Sequence, residues 1–437
     1  MPAKNTIRVS EFEKLYYDDA KPFKQNHWEA LCRYEAQQNK QENKRIEYFR
    51  ILKKGIQFTN YVGVIQADNL TIEILPKIDK DYTTAANETI KDVSVGEPKE
   101  KQQWHDVLLQ MLKECRLLKI NHVDHANLNL RGNSILDIYL ELFLSEVETL
   151  LHEGLLKKYQ KIEGNQTALK GQLLFQKQMA VNITHQERFY VRYSVYNKDN
   201  IFNRILYKTI CLIPRICSNP FLLDKVGRLM LDFPEAKNCA VTSETYSKLT
   251  YDRKTGRYRE AMVISKMILL NYRPDITGGS ENVIAILFDM NKLWEEFVYR
   301  RLKREEASCG IKVSSQQSKD FWQPEQGSSK KIRPDIVVQY GKQTIIIDTK
   351  WKNMEDLHPS DNDLKQMFVY NLFWKCDKSF LLYPGNASNS SGGSFHSHEV
   401  ADKMASTCGV EQLQVLDEHG KLSNDIGREL VNIFIKP

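Results

Sequence analysis

Asp335, Asp348 and Lys350 stand within one short stretch, RPDIVVQYGKQTIIIDTK (333–350), in a pattern suited to metal-assisted attack on a phosphodiester. Gly341-Lys342 supplies a turn signal between two apolar runs, so the stretch is expected to fold back as an antiparallel pair. Side chains alternate along a strand, which puts Asp348 and Lys350 on one face and turns Thr349 away. The run Ile345-Ile346-Ile347 is continuously apolar, as in a strand buried on both faces. Charged groups at the end of such a strand are costly unless paired or metal-bound. Mg²⁺ prefers oxygen ligands and is held through one or two carboxylates. Asp335 and Asp348 can supply these, with the backbone carbonyl of Thr349 as a third oxygen, and Mn²⁺ can substitute. Lys350 would position or deprotonate the attacking water, or stabilise the pentavalent phosphate. A hairpin carrying surface ion pairs fits the same residues and stays open as the alternative.

The elements that must position these groups are partly legible. IAILFDMNKLWEEFVYRRLKREE (284–306) reads as a strand end followed by an amphipathic helix. Downstream, Met367, Tyr370 and Phe373 fit an amphipathic helix on which Gln366 and Tyr370 lie one turn apart. PGNASNSSGGSFHSH (384–398) reads as a mobile low-complexity loop. Nearer the N-terminus, residues 56–78 alternate and are β-branched, giving two or three strands with a turn at Ala67-Asp68-Asn69. The charged stretch Trp28 to Leu52 before them is helix-like. Residues 82–103 are polar and read as a surface loop or linker, with helical periodicity from 104 to 118. The strongest helical pattern starts at Ile135, with Ser134 as its cap. A strand-like segment at 169–182 and a helical one at 189–210 follow, broken by Asn197-Lys198-Asp199-Asn200, and a further helix spans 258–272. There is no convincing internal repeat.

The chain has 437 residues, 41% of them hydrophobic, which is enough for several buried cores. The formal net charge of +6 permits a nucleic-acid partner without arguing for one. No two of the eight cysteines have CxxC spacing, so neither a structural zinc site nor a disulfide framework is expected. There is no apolar leader near the start and no run long enough for a membrane helix, so a cytoplasmic protein with no membrane association is expected. Two basic runs are candidates for DNA contact, Arg300-Arg301-x-Lys303-Arg304 and Lys330-Lys331-x-Arg333.

Pro334-Asp335 and Asp348-Thr349-Lys350 resemble the signature of the PD-(D/E)xK nuclease superfamily. Gln366 and Tyr370 resemble the Gln-xxx-Tyr helix that follows the core in some of its branches. Glu295 within Leu293-Trp294-Glu295-Glu296-Phe297-Val298 resembles the acidic residue lent by a preceding helix, with Glu296 in reserve. The order of segments is similar to the McrC family, the nuclease subunits of McrBC-type modification-dependent restriction systems. Tyr61–Ile65 with Ile72–Ile78, the stretch Leu169–Phe175, the stretch Asn197–Arg204 and Phe288–Asn291 carry that likeness in collinear order. In the family pattern Lys170 and Arg204 read as structural. The resemblance implies an α+β multidomain chain. Its parts would be a β-rich N-terminal domain for partner docking (1–103), a mainly helical middle region with a short β segment (104–280) and a C-terminal α/β nuclease domain with a mixed central sheet (281–437). It further implies a Mg²⁺-dependent endodeoxyribonuclease that cuts modified, methylcytosine-containing double-stranded DNA and stimulates a McrB-like AAA+ GTPase hexamer. The chain has no GxxxxGK[ST] loop, so any such GTPase belongs to a partner. Two other readings compete: a non-enzymatic adaptor that activates the GTPase, and a stand-alone DNA repair nuclease.

Overall fold

The computed structural model describes residues 5–18, 20–41, 47–77, 98–115, 117, 134–273, 282–352, 354, 357–385, 388–396 and 406–435. The fold is mixed α+β, with several separate sheets. Contacts group the chain into two compact units. One lies within residues 133–286 together with 66–69; the other combines 5–65 and 70–132 with 287–437.

In the first unit, helix Ile135–His152 begins as its sequence suggests, with Ser134 Oγ accepting the Asp137 N–H at 3.2 Å. Its buried residues run all round the helix, so it packs as an internal rod. The region holds more β structure than periodicity indicates. Strands Lys158–Gln166 and Phe189–Asn197 pair antiparallel along nine residues each, so 189–197 is a strand and helix begins only at Ile201. Phe175–Val181 is a short helix with no buried face, hence no periodicity to read. It is held instead by polar bonds, such as Gln178 Nε2 to the Arg188 carbonyl at 2.7 Å. The Asn197–Arg204 segment is structural. Asn200 and Asn203 both donate to the Leu156 carbonyl, and Arg204 forks onto Asp199 at 2.6 and 2.8 Å. Gly171 has φ +78, and a Cβ there would stand 2.5 Å from the Arg192 carbonyl, so only glycine fits.

In the second unit, strand Asn5–Ser10 pairs parallel with Leu70–Leu75. Tyr61–Ala67 lies on the other side of Leu70–Leu75, with the turn at Asp68 in the left-handed region, as its Asp-Asn sequence favours. The helix in the region Trp28 to Leu52 is Gln25–Gln41; Phe49–Leu52 is a strand paired with Gly55–Phe58. The next helix starts at Pro98, earlier than its apolar periodicity. Proline suits a first helical turn, and Glu100 there meets the positive end of the helix dipole. The remainder of the polar stretch 82–103 lies outside the described residues.

A six-stranded mixed sheet organises residues 311–414, in the order Ile311–Ser315, Ile336–Tyr340, Gln343–Thr349, Lys378–Gly385, Thr407–Gln414 and Asn389–Ser394. The first three pair antiparallel; Gln343–Thr349, Lys378–Gly385 and Thr407–Gln414 run parallel. A parallel pair needs a crossover, and helix Asp361–Trp374 supplies it. Its Met367, Tyr370 and Trp374 bury against Ile346, Leu381 and Tyr383. The Ser/Gly-rich segment is an edge strand, not a loop: Asn389–Ser394 pairs residue by residue with Thr407–Gln414. Small side chains weaken strand propensity but leave the backbone donors free to pair, which is why composition misleads here.

Candidate active site

The hairpin forms as expected. Ile336 pairs with Ile347 and Tyr340 with Gln343, with Gly341 at φ +57 in the turn. One step beyond Ile336–Ile347 this register sets Asp335 opposite Asp348. Asp348 is buried and takes Gln366 Nε2 at 3.1 Å on Oδ1. The Lys350 ammonium stands 2.8 Å from Asp348 Oδ2, which has no partner in good hydrogen-bond geometry. Asp335 Oδ2 accepts both the backbone N–H and the hydroxyl of Thr349, at 2.8 and 2.9 Å. Thr349 is therefore tied back to the acidic pair, although strand alternation alone turns it away.

Burial, and then the Asp335 charge, push the Asp348 carboxyl up to about 7. Burial also raises Asp335 above the usual carboxylate range. Two desolvated carboxylates facing each other lack enough cationic compensation, and a divalent cation would supply it. Lys350 responds in the opposite sense. Burial works against its charge, but Asp348, Asp363 and Asp335 outweigh that and raise it above the ordinary lysine value. It is an ammonium, better suited to neutralising phosphate charge than to taking a proton.

Helix Asp361–Trp374 carries the second layer of contacts. Ser360 caps it by accepting the Asp363 N–H at 3.2 Å. Gln366 sits between the charged groups: its amide donates to Asp348 and, at 2.8 Å, to the Tyr370 hydroxyl, while its oxygen faces Lys350 Nζ at 3.3 Å. The Tyr370 hydroxyl donates to the Arg333 carbonyl at 2.9 Å, fixing the chain just before Pro334-Asp335. Sequence reasoning assigned no role to Asp363, whose carboxylate lies 3.5 Å from Lys350 and 3.0 Å from Lys352.

Helix Met290–Arg304 buries Leu293, Trp294, Phe297, Val298 and Leu302. Glu295 accepts from Gln316 Nε2 at 2.8 Å, and burial, then Asp335, raises its carboxyl. Gln316 also donates its backbone N–H to the Asp335 carbonyl and holds φ +51. It links the helix to the hairpin, and nothing in a glutamine flanked by polar residues signals that. Glu296 turns instead to Arg300 at 2.6 Å. Among the described residues no three His, Cys, Asp or Glu side chains gather as a metal cluster. The site's own carboxylates are the Asp335–Asp348 pair, and Mg²⁺ sites commonly use that number.

The basic runs separate. Arg301 is buried, with Nη2 2.7 Å from Glu114 and Nη1 on the Asn424 carbonyl. Arg300 is occupied by Glu296 and Lys303 by Glu306. Arg301 is thus an internal ion-pair partner, while Arg300, Lys303 and Arg304, nearer the surface, also pair with acidic groups. Lys330, Lys331 and Arg333 are exposed beside the hairpin.

Glu11 was also not singled out from sequence. It is 1% exposed, and its Oε1 accepts Trp351 Nε1 at 2.6 Å and the Lys77 N–H at 2.9 Å. Burial pushes its carboxyl from 4.5 up to about 7, with Asp289 adding to the rise. The folded chain thus holds a proton that the unfolded chain releases between those values. The resulting stability is full below the unfolded value and is lost as pH rises through 7. Glu11→Gln is expected to gain up to about 3 kcal/mol relative to wild type between pH 5 and pH 9, measured by denaturant melts. A difference independent of pH would contradict this.

The comparisons agree with this architecture. The fold matches a chain of the refined half-complex from the tetradecameric assembly of Thermococcus gammatolerans McrB AAA+ hexamers with bound McrC. The TM-score there is 0.68 at 20% identity, covering 98% of this chain and 100% of that one. The Thermococcus gammatolerans McrBC complex also matches, with TM-score 0.51 and 22% identity over 69% of this chain and 88% of that one. No curated protein matches the sequence. The chain is thus of the restriction-system class. It belongs to the McrBC 5-methylcytosine restriction system component family, whose pattern matches residues 56–384. No described helix is long and apolar enough to cross a membrane.

Proposed function

We propose that this chain is the DNA-cutting subunit of a McrBC-type complex: a Mg²⁺-dependent endonuclease with a PD-(D/E)xK core. It acts on methylcytosine-containing duplex DNA, in the cytoplasm, with an AAA+ GTPase hexamer whose hydrolysis it stimulates. The observation that carries this reading is the pairing of buried Asp348 with half-buried Asp335, with Lys350 2.8 Å from Asp348, in a chain of this family. Asp335, Asp348 and the Thr349 carbonyl would hold Mg²⁺ or Mn²⁺, with Glu295 at the rim. When bound, the ion supplies charge neutralisation at the phosphate and a more acidic water. Lys350 places its ammonium against the phosphate oxygens. Gln366 and Tyr370 hold Asp348, Lys350 and residue 333 in one geometry, so little reorganisation accompanies reaction. The partner follows from likeness to a chain solved among McrB AAA+ hexamers with bound McrC. The test of the reading is cleavage of methylated plasmid by the reconstituted complex with GTP, with and without EDTA; cutting that persists in EDTA would sink it.

The DNA path runs over the ribbon formed by Lys319–Trp322 and Lys330–Ile332. Phe321 and Trp322 are about half exposed there, and Lys330 and Lys331 flank them. Lys319 donates to the Phe373 carbonyl at 2.7 Å, tying the ribbon to the helix of Gln366. Phosphate contacts release counterions, so replacing Lys330 and Lys331 by alanine is expected to weaken duplex binding at every sequence. The slope of log affinity against log salt should fall by about 1–2. An unchanged slope, measured by anisotropy without divalent metal, would remove the ribbon from the path.

A further inference from the structure

Lys350 directly follows the buried strand Gln343–Thr349, and the next residue is fixed from several sides. Trp351 is 7% exposed. Its indole lies 5.4 Å from the ring of Trp294, tilted by 60°. Trp294 is the neighbour of Glu295 on helix Met290–Arg304. The Trp351 backbone N–H points to Asn291 Oδ1 at 3.3 Å on the same helix. The remaining anchor comes from the far end of the sequence: Trp351 Nε1 donates to Glu11 Oε1 at 2.6 Å across 340 residues. Glu11 is held in turn, its N–H on the Leu75 carbonyl at 3.0 Å and its carboxylate on the Lys77 N–H. Lys350 is thus bracketed, its own N–H on the Leu382 carbonyl at 2.9 Å and its successor locked on two elements.

A buried indole needs an acceptor, but a backbone carbonyl or a neutral amide would satisfy it. A buried carboxylate is a costly choice for packing alone. What it adds is a shorter, stronger, charge-assisted bond. Strength at this point has a use, because Lys350 must hold its ammonium against Asp348 and Gln366 within tenths of an ångström. A displacement of 1 Å at a reacting group can cost on the order of 10²-fold in rate.

We propose that Glu11 is a positioning residue for Lys350: by gripping the Trp351 indole it fixes the backbone from which the catalytic lysine reaches the site. The inference rests on the nuclease reading above. It makes the segment after strand Asn5–Ser10 part of the cutting machinery, although it lies outside the hairpin and its flanking helices.

The experiment uses the complete chain assembled with its AAA+ partner and methylated plasmid DNA, in single turnover. Glu11→Ala and Trp351→Phe each remove the bond; Glu11→Gln keeps an acceptor. The maximal cleavage rate is expected to fall roughly 10- to 100-fold in the first two. The DNA concentration giving half-maximal rate and the partner's GTP hydrolysis should stay as in wild type. Glu11→Gln keeps an acceptor without the charge, so it should recover part of the rate at pH 7.5, and the double variant Glu11→Ala/Trp351→Phe should be no slower than either single one. If Glu11→Ala does not fold, Trp351→Phe decides, since it keeps an aromatic ring at this position while removing the donor. Wild-type rates in Trp351→Phe would overturn the proposal, as would a Glu11→Gln variant no better than Glu11→Ala. Failure of the nuclease reading is separable: the wild-type complex itself would then not cut.

Discussion

Lys350→Ala is expected to cut methylated DNA about 10³-fold more slowly than wild type, a barrier increase of about 4 kcal/mol. The ammonium stands 2.8 Å from Asp348 and 3.3 Å from Gln366, and burial leaves few other cations to replace it. Removing it takes away the preorganised positive charge that the proposed function sets against the phosphate. It also leaves Asp335 and Asp348 repelling each other with less compensation, so the folded chain should bind divalent metal at least as well as before. Loss of rate with metal binding retained is the signature of a group acting on the transition state. Lys350→Arg is not expected to restore the rate, because a planar fork does not fit a site built for a compact ammonium. Single-turnover cleavage at saturating Mg²⁺ measures this. A loss under tenfold would return Lys350 to the role of a structural ion-pair partner.

The second large effect concerns folding. Arg301→Ala is expected to destabilise the chain by about 3–5 kcal/mol, because it strands Glu114 in a buried place. The two side chains are only 5% and 10% exposed, and their N–O distance is 2.7 Å. Arg304, at 3.6 Å, offers Glu114 only partial relief. The melting temperature should fall by roughly 10 °C. Glu114→Gln should cost less, since an amide can still accept from the guanidinium. The double change to apolar residues of similar volume should recover part of the loss. Duplex affinity of the folded fraction at low temperature should not change, which separates this arginine from the lysines of the ribbon. A large affinity loss at unchanged melting temperature would reverse the assignment.

How much was legible depended on whether position or only pattern was needed. Asp335, Asp348 and Lys350 could be placed from strand alternation and a Gly-Lys turn, because a two-residue period and a short hairpin leave little freedom. Gln366 and Tyr370 were marked by their resemblance to a Gln-xxx-Tyr helix, with helical spacing putting them on one side, and the structure brings Gln366 to Asp348 and Tyr370 to residue 333. Ser134 was readable as a cap because capping is local. What failed was long-range or compositional. The Ser/Gly stretch pairs as an edge strand because Thr407–Gln414 offers it a partner, which no local signal reports. Arg301 looks like one of four surface cations until the buried face of its helix is known; Phe297 one turn earlier gives the hint, and Glu114 the reason. Gln316 and Glu11 carry no local signature, since the first works through a left-handed backbone and the second through a partner 340 residues away.

Asp335 and Asp348 are the proposed metal centre. Its most direct test is Asp348→Asn in the reconstituted complex, with plasmid cleavage and GTP hydrolysis followed in the same reaction. The substitution keeps the side chain's size and removes the charge that would meet the metal. Cleavage is expected to fall to the level seen with EDTA while GTP hydrolysis and assembly continue at wild-type rate. Cleavage at wild-type rate by Asp348→Asn would contradict it.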